Sequence, residues 1–229
     1  MPEPAPANPL LTRSLREQVY DHLRQEMARG GLALGSFLDL DALSTKLGVS
    51  RTPLREALLQ LAHEGFVTIL PRRGFLLEAL SAEDIRHYYE IIGALEAAAL
   101  RSVAARLGPE ALRAMRELNE AMAEAVAADD FDRYYTLNLA FHDTYLRLSD
   151  NTRLKAQVAS LKQRLYDWPR RRGFVKAWEE HSVRTEHRRF LDLLEAGDVE
   201  GAARHLQDVH WSFEVQRDFI QAYYFEGQP

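Results

Sequence analysis

The sequence predicts a mainly α-helical protein in which an N-terminal winged helix-turn-helix precedes a C-terminal all-α antiparallel helical bundle. Three observations lead there. Apolar residues recur at helical spacing in three short segments before residue 66. Two β-prone runs, "FVTIL" and "FLLEA", follow at once and are joined by the basic turn "PRRG". From Ser81 onward no run carries the alternation or β-branched content of a strand.

The opening "MPEPAPANPLL" holds four of the nine prolines and an early acid, Glu3, with no basic start before an apolar run. Residues 1–11 therefore read as a disordered tail rather than a signal peptide. Leu15, Val19, Leu23 and Met27 recur every four residues and predict a helix from Ser14 to Arg29, ended by "GGLALG". Asp39 or Asp41 can cap a short helix through Leu43 and Leu47. Gly48 then closes that helix and Ser50 caps the next. Pro53 falls in the first turn of this second helix, where its missing N–H costs little. Leu54, Leu58 and Leu61 form its buried stripe and Gly65 stops it. With the hairpin, residues 12–79 make one domain.

Ser81 followed by Asp84 opens a second domain, residues 80–229, with a capping-box signal. Helices are expected from Ser81 to Arg106, Pro109 to Ala127, Asp130 to Ser149, Thr152 to Asp167, Ala177 to Ala196 and Val199 to Tyr224. Six such helices make a bundle whose interior can hold a ligand.

Composition narrows the class. The chain has 229 residues, 46% hydrophobic and 28% charged, enough for two cores. It contains no cysteine, which excludes disulfides and cysteine-bound zinc and fits a cytoplasmic location. No stretch reaches the ~18 apolar residues of a membrane span. The net charge is -5, but residues 1–78 hold nine basic and nine acidic residues, so any polyanion site is local.

That site is legible in "VSRTPLREALLQLAHEG", residues 49–65. Cations at a helix start oppose the macrodipole. They make sense if the second helix of a helix-turn-helix presents its N-terminus to a DNA major groove. Ser50, Arg51, Thr52 and Arg55 stand at that end, and arginine can bond guanine bidentately or hold phosphate. Arg72, Arg73 and Gly74 form a basic wing tip for the same duplex. Lys46 and Arg24 read as solvated surface.

The stretch "DALSTKLGVSRTPLREALLQLAHEGFVTILPRRGF" resembles the DNA-binding domain of the GntR superfamily. The remainder, through "NLAFHDTYLRLSDN" and "EHRRFLDLLEAGDVEGAARHLQDVH", is similar to the FCD effector domain of the FadR-like subfamily. The resemblance implies a homodimeric transcription factor, often a repressor, that binds a palindromic double-stranded DNA operator and responds to a small metabolite, commonly a carboxylate. It departs from the pattern at Asp41, where some relatives have a cation.

Asn138 and His142 share one helix face at i, i+4, and His187 and His210 lie on the last two helices. Imidazoles from three helices can hold a divalent transition metal of the zinc or nickel type, with the Asn138 carbonyl as a weak oxygen ligand. Many FCD domains hold a metal with an Asp or Asn, a His four residues on and two later His. Counted from the Gly197-Asp198 turn, the family's last His is expected where this chain has Val209. His210, one residue late and rotated by ~100°, and His205 are the alternatives. Ile92 stands where many relatives place an arginine four residues before the glutamate, here Glu96, which leaves Arg101 as the candidate effector cation. His22, His63, His87 and His181 show no partner pattern. Trp168, Trp178, Trp211, Phe213, Tyr223 and Tyr224 read as core or subunit contact, and "WPRRRGF" as a solvated loop.

An enzyme is disfavoured. Di-iron bundles need paired Glu-x-x-His motifs, and only Asp84-x-x-His87 comes near. No nucleophile elbow, phosphate loop or nucleotide fingerprint is present.

Overall fold

The structure, a computed structural model, describes residues 13–166 and 176–225. The expected tail and the "WPRRRGF" loop fall outside the described residues. The chain divides into two compact units between Ala79 and Leu80.

In the first unit, helix α1 (Leu15–Ala28) starts at a capping box in which Ser14 Oγ accepts from the Glu17 N–H and the Glu17 carboxylate accepts from Ser14 N–H. Val19, Leu23 and Met27 are buried, but Leu15, expected on the same stripe, is 48% exposed. Helix α2 (Leu40–Leu47) is capped by Asp39, whose carboxylate accepts from the N–H groups of Asp41 and Ala42. Gly48, at φ +65°, takes the left-handed conformation that turns the chain into α3 (Arg51–His63). Ser50 occupies the N-cap position without a side-chain capping bond. A capping hydroxyl accepts from the second or third helical N–H, and the third residue here is Pro53, which has none, so only Thr52 could be capped. Leu54, Ala57, Leu58 and Leu61 are buried beneath.

Strands β1 (Val67–Leu70) and β2 (Gly74–Leu77) pair antiparallel in the register Val67 to Leu77 and Leu70 to Gly74. Residues 35–38, of which only Gly35 belongs to the helix-ending "GGLALG", add a bridge on the other side of β2. Gly35 N–H donates to Leu77 O, Leu77 N–H to Ser36 O and Leu38 N–H to Phe75 O. At the wing tip Arg73 N–H donates to Leu70 O at 3.0 Å across Pro71 and Arg72, and Arg72 has φ +63°. Such a turn ordinarily places glycine at that position, and a side chain there costs roughly 1–2 kcal/mol.

The second unit is helical throughout its described residues. It comprises α4 (Ala82–Val103), a 3-10 turn Ala104–Arg106, α5 (Pro109–Ala127), α6 (Phe131–Leu146), α7 (Thr152–Tyr166), α8 (Lys176–His181), α9 (Arg188–Glu195), α10 (Val199–His205) and α11 (Phe213–Ile220). Three widened π segments interrupt the expected regularity. Ser182–His187 joins α8 to α9, Leu206–His210 extends α10, and Gln221–Phe225 extends α11. The single helix expected from Val199 to Tyr224 is broken at Trp211 and Ser212, where Ser212 caps α11 and Trp211 buries its ring.

Gly93 on α4 lets this broken segment come close. A Cβ there would lie 3.0 Å from Trp211 Cβ and 3.3 Å from Gln207 Cα. Alanine is the better helix former by about 1 kcal/mol, yet overpacking against backbone costs about 1–3 kcal/mol, so the clash wins. Gly93→Ala is expected to lower the thermal unfolding midpoint; a raised midpoint would show that the α10 segment yields freely.

Candidate functional site

Of the residues expected to read DNA, Ser50, Arg51, Thr52 and Arg55 are all exposed at the start of α3. The Arg51 guanidinium pairs with Asp41 on α2, so the acid that departs from the family pattern neutralises the first cation of α3. Arg55 lies over the Phe75 ring at 5.8 Å and Arg73 over Phe37 at 4.6 Å, contacts that restrain both long side chains. Arg72 and Arg73 are exposed at the tip, and Gly74, at φ +100°, starts β2.

In the second unit, α6 carries Asn138 and His142 on its buried face, and the two π segments carry His187 and His210. One ring nitrogen from each of His142, His187 and His210 lies within 4.8 Å of the others. The π segment explains how His210 gets there. Trp211 N–H bonds Leu206 O, five residues back, so one extra residue is accommodated in the turn. That offsets the one-residue lag read from the sequence. His205 points elsewhere, with Nε2 2.9 Å from the Glu186 carbonyl oxygen.

Carboxylates behind the rings fix their tautomers. His142 Nδ1 donates to Glu96 Oε2 at 2.9 Å, and His210 Nδ1 donates to Glu186 Oε2 at 2.7 Å. Each Nε2 is then left with its lone pair, the pattern by which a second carboxylate orients a metal-binding histidine. Phe141 stacks on His187 with centroids 4.3 Å apart. Burial, with further contribution from Lys162, pushes His142 down to about 4, and burial together with the neighbouring imidazoles holds His187 well below the usual histidine range. Both rings are neutral at pH 7, the form that ligates.

Four buried atoms in this group have no hydrogen-bond partner: Asn138 Oδ1, His142 Nε2 and both ring nitrogens of His187. Histidines kept simply as core residues would leave these unsatisfied at about 1–3 kcal/mol each. A donor set of neutral imidazoles and one amide oxygen suits a divalent transition metal.

Sequence reasoning missed the groups that hold the cluster. Glu96 is fully buried and accepts from His142, from Tyr145 Oη at 2.6 Å and from Trp211 Nε1 at 3.0 Å, while Lys162 forms an ion pair with it. Burial raises the Glu96 pKa, but Lys162 and His142 outweigh it and hold the carboxyl well below its usual range. Only the i, i+4 relation of Ile92 and Glu96 on α4 drew notice to this position.

Arg101, the candidate effector cation, lies at the surface, where its Nε and Nη2 bond both oxygens of Glu200 at 2.9 and 2.7 Å. Four of the aromatics read as core or contact also have another place. Trp178, Trp211, Tyr223 and Tyr224 line a cleft beside the cluster, together with Tyr89, Tyr134, Asn138, His210 and two acids, Glu179 and Glu186. Phe213 is not among the lining residues, and Trp168 lies outside the described residues.

A winged helix-turn-helix joined to a helical domain with an internal cleft is the build of a DNA-binding transcriptional regulator. Residues 15–77 match the model of the bacterial regulatory proteins of the gntR family, and residues 87–209 match that of the FCD domain. The chain belongs to the GntR family of transcriptional regulators and carries an FCD domain. An HTH-type transcriptional regulator from an unstable DNA locus of Streptomyces ambofaciens is 31% identical over 188 residues, covering 82% of this chain and 78% of its own. The HTH-type transcriptional repressor RspR of Escherichia coli is 24% identical over 202 residues, covering 86% and 88%. The solved structure of E. coli McbR/YncC shares the fold, with TM-score 0.65 at 24% identity over 92% of this chain and 97% of that one. These families and relatives are regulators, not enzymes. No helix among the described residues is long and apolar enough to cross a membrane.

Glu179 gives a pH test of the cleft. Burial pushes its carboxyl up to about 7, against the lowering effect of a Tyr134 hydrogen bond. The unfolded chain ionises it from about 4.5 and the folded chain holds the proton to about 7, so its contribution to stability is present below pH 4.5 and lost as pH rises through 7. Glu179→Gln, which cannot ionise, is therefore expected to gain on wild type by up to ~3 kcal/mol between pH 4.5 and 8. Urea unfolding at both pH values checks this, and a pH-independent difference would show Glu179 ionised throughout.

Proposed function

We propose that the protein is an effector-responsive repressor that binds a palindromic operator as a homodimer. In this reading α3 enters the major groove, with Arg51 and Arg55 reading bases. Ser50 and Thr52 meet phosphate or a thymine methyl, and Arg72, Arg73 and the Gly74 turn grip the flanking backbone. The restraint of Arg55 by Phe75 and of Arg73 by Phe37 supports this placement, because less side-chain freedom is lost on binding.

The second domain is the sensor. Asn138, His142, His187 and His210 would hold a zinc- or nickel-type ion, and the observation that carries this is the set of unpartnered buried atoms on Asn138, His142 and His187, with a ring nitrogen from each of the three histidines within 4.8 Å of the others. Such an ion, with neutral ligands, supplies positive charge and open positions for an anionic oxygen. A carboxylate effector suits it. Glu96 and Glu186 orient the rings from behind, and Lys162 keeps the Glu96 charge balanced. Regulation follows if the effector binds the DNA-competent and DNA-incompetent arrangements with different affinity.

Two expected outcomes test this. Arg51→Ala or Arg55→Ala should remove discrimination between operator and scrambled duplex by about 1–3 kcal/mol, whereas Arg73→Ala should weaken binding to both and lower its salt dependence. Fluorescence anisotropy across a salt series reads this out, and retained preference in both α3 variants would refute the assigned reading head. For the sensor, elemental analysis should find about one metal ion per chain in wild type and none in His142→Ala or His187→Ala. Equal metal in all three would remove these residues from the site.

A further inference from the structure

The cleft beside the histidines has walls suited to a cation rather than to a second acid. Glu179 on α8 is only 8% exposed, lines the cleft and receives a hydrogen bond from the Tyr134 hydroxyl. Among the described residues no lysine, arginine or histidine contributes to its electrostatics. Around it stand the rings of Tyr89, Trp178 and Tyr223, with Trp178 and Tyr223 edge to face at 5.6 Å and Trp178 stacked on Phe219 at 5.9 Å. Aromatic faces carry negative potential and attract cations, most strongly where water is excluded.

Among the described residues, the cations that could have served an acidic ligand are committed elsewhere or absent from the cleft lining. Ile92, on the same face of α4 as Glu96, is a fully buried alkyl group. Arg101 is held by Glu200, and Lys162 is held by Glu96 over the Trp211 ring, neither of them in the cleft lining. A dicarboxylate placed in this cleft would therefore set its second acid against Glu179.

We propose that the effector carries a positively charged nitrogen, an ammonium or guanidinium, seated against Glu179 among these rings, with its carboxylate directed to the histidine cluster. The ligand class is an amino- or guanidino-carboxylate. This rests on the sensor reading above for the carboxylate end and on Glu179 alone for the cationic end.

The experiment uses full-length, metal-loaded protein and three probes in titration calorimetry: arginine, which has both groups, 1,4-diaminobutane, which has only cations, and glutarate, which has only carboxylates. Arginine is expected to bind tightest and glutarate weakest. Glu179→Gln should weaken arginine and 1,4-diaminobutane by roughly 10- to 100-fold, the loss of a charge-assisted contact, and should not weaken glutarate, whose second acid it relieves of a like charge. Trp178→Leu should weaken the same two probes. Chelation of the metal should weaken arginine and glutarate but not 1,4-diaminobutane. Failure of the chelator to matter strikes the metal reading and leaves the cationic end standing. Glutarate binding tightest, neither amine binding at millimolar concentration, or amine affinity untouched in both variants would overturn the cationic effector.

Discussion

The buried carboxylate of Glu96 is the constraint on which the second, helical domain depends. It sits at zero exposure on α4 and gathers His142 and Tyr145 from α6, Lys162 from α7 and the indole of Trp211 beyond α10. A lone carboxylate there would carry a desolvation penalty of several kcal/mol, and only a surrounding set of donors makes the charge tolerable. Four segments remote in sequence must therefore arrive together. The same set selects the histidine tautomer, so the electrostatic requirement of one acid also fixes which nitrogen of His142 faces the cluster.

Helix irregularity supplies the remaining alignment. A regular α10 would carry His210 out of register with the other two rings, and the π segment Leu206–His210 absorbs the extra residue. The break that follows at Trp211 turns the indole back to Glu96, where Gly93 gives it room. His187 likewise ends a π segment, Ser182–His187, and packs on Phe141. Widened turns cost backbone regularity, and their coincidence with the two later histidines links the departure from ideal geometry to the site.

The reading head obeys a different economy, since its chemistry is carried by exposed side chains on a small apolar core. Local rules account for most of it: Asp39 capping, the left-handed Gly48 and Pro53 inside α3 place Arg51 and Arg55 at a helix start without any long-range contact. Pro53 even removes an N–H that Ser50 could have capped. What remained hidden were pairings between separate segments, namely Asp41 with Arg51, Arg73 over Phe37, and the bridge from residues 35–38 to β2.

By itself the sequence determined the mainly helical class, the helix-turn-helix with its basic wing, and the candidate histidines, because each is written in local spacing, capping residues and turn chemistry. Tertiary structure decided which of those side chains meet. His210 rather than His205 joins His142 and His187 because a π turn shifts the helix face, a feature with no spacing signature. Arg101 falls to the surface with Glu200, while Glu96, Lys162 and Glu179 emerge as buried ionisable groups whose partners are remote in sequence. Tryptophans and tyrosines at helical spacing look like core in sequence, and only the packing of α4, α6, α7 and α8 with the π segments opens a cleft along their faces. Local hydrogen bonding fixes elements; long-range burial and charge compensation fix the site.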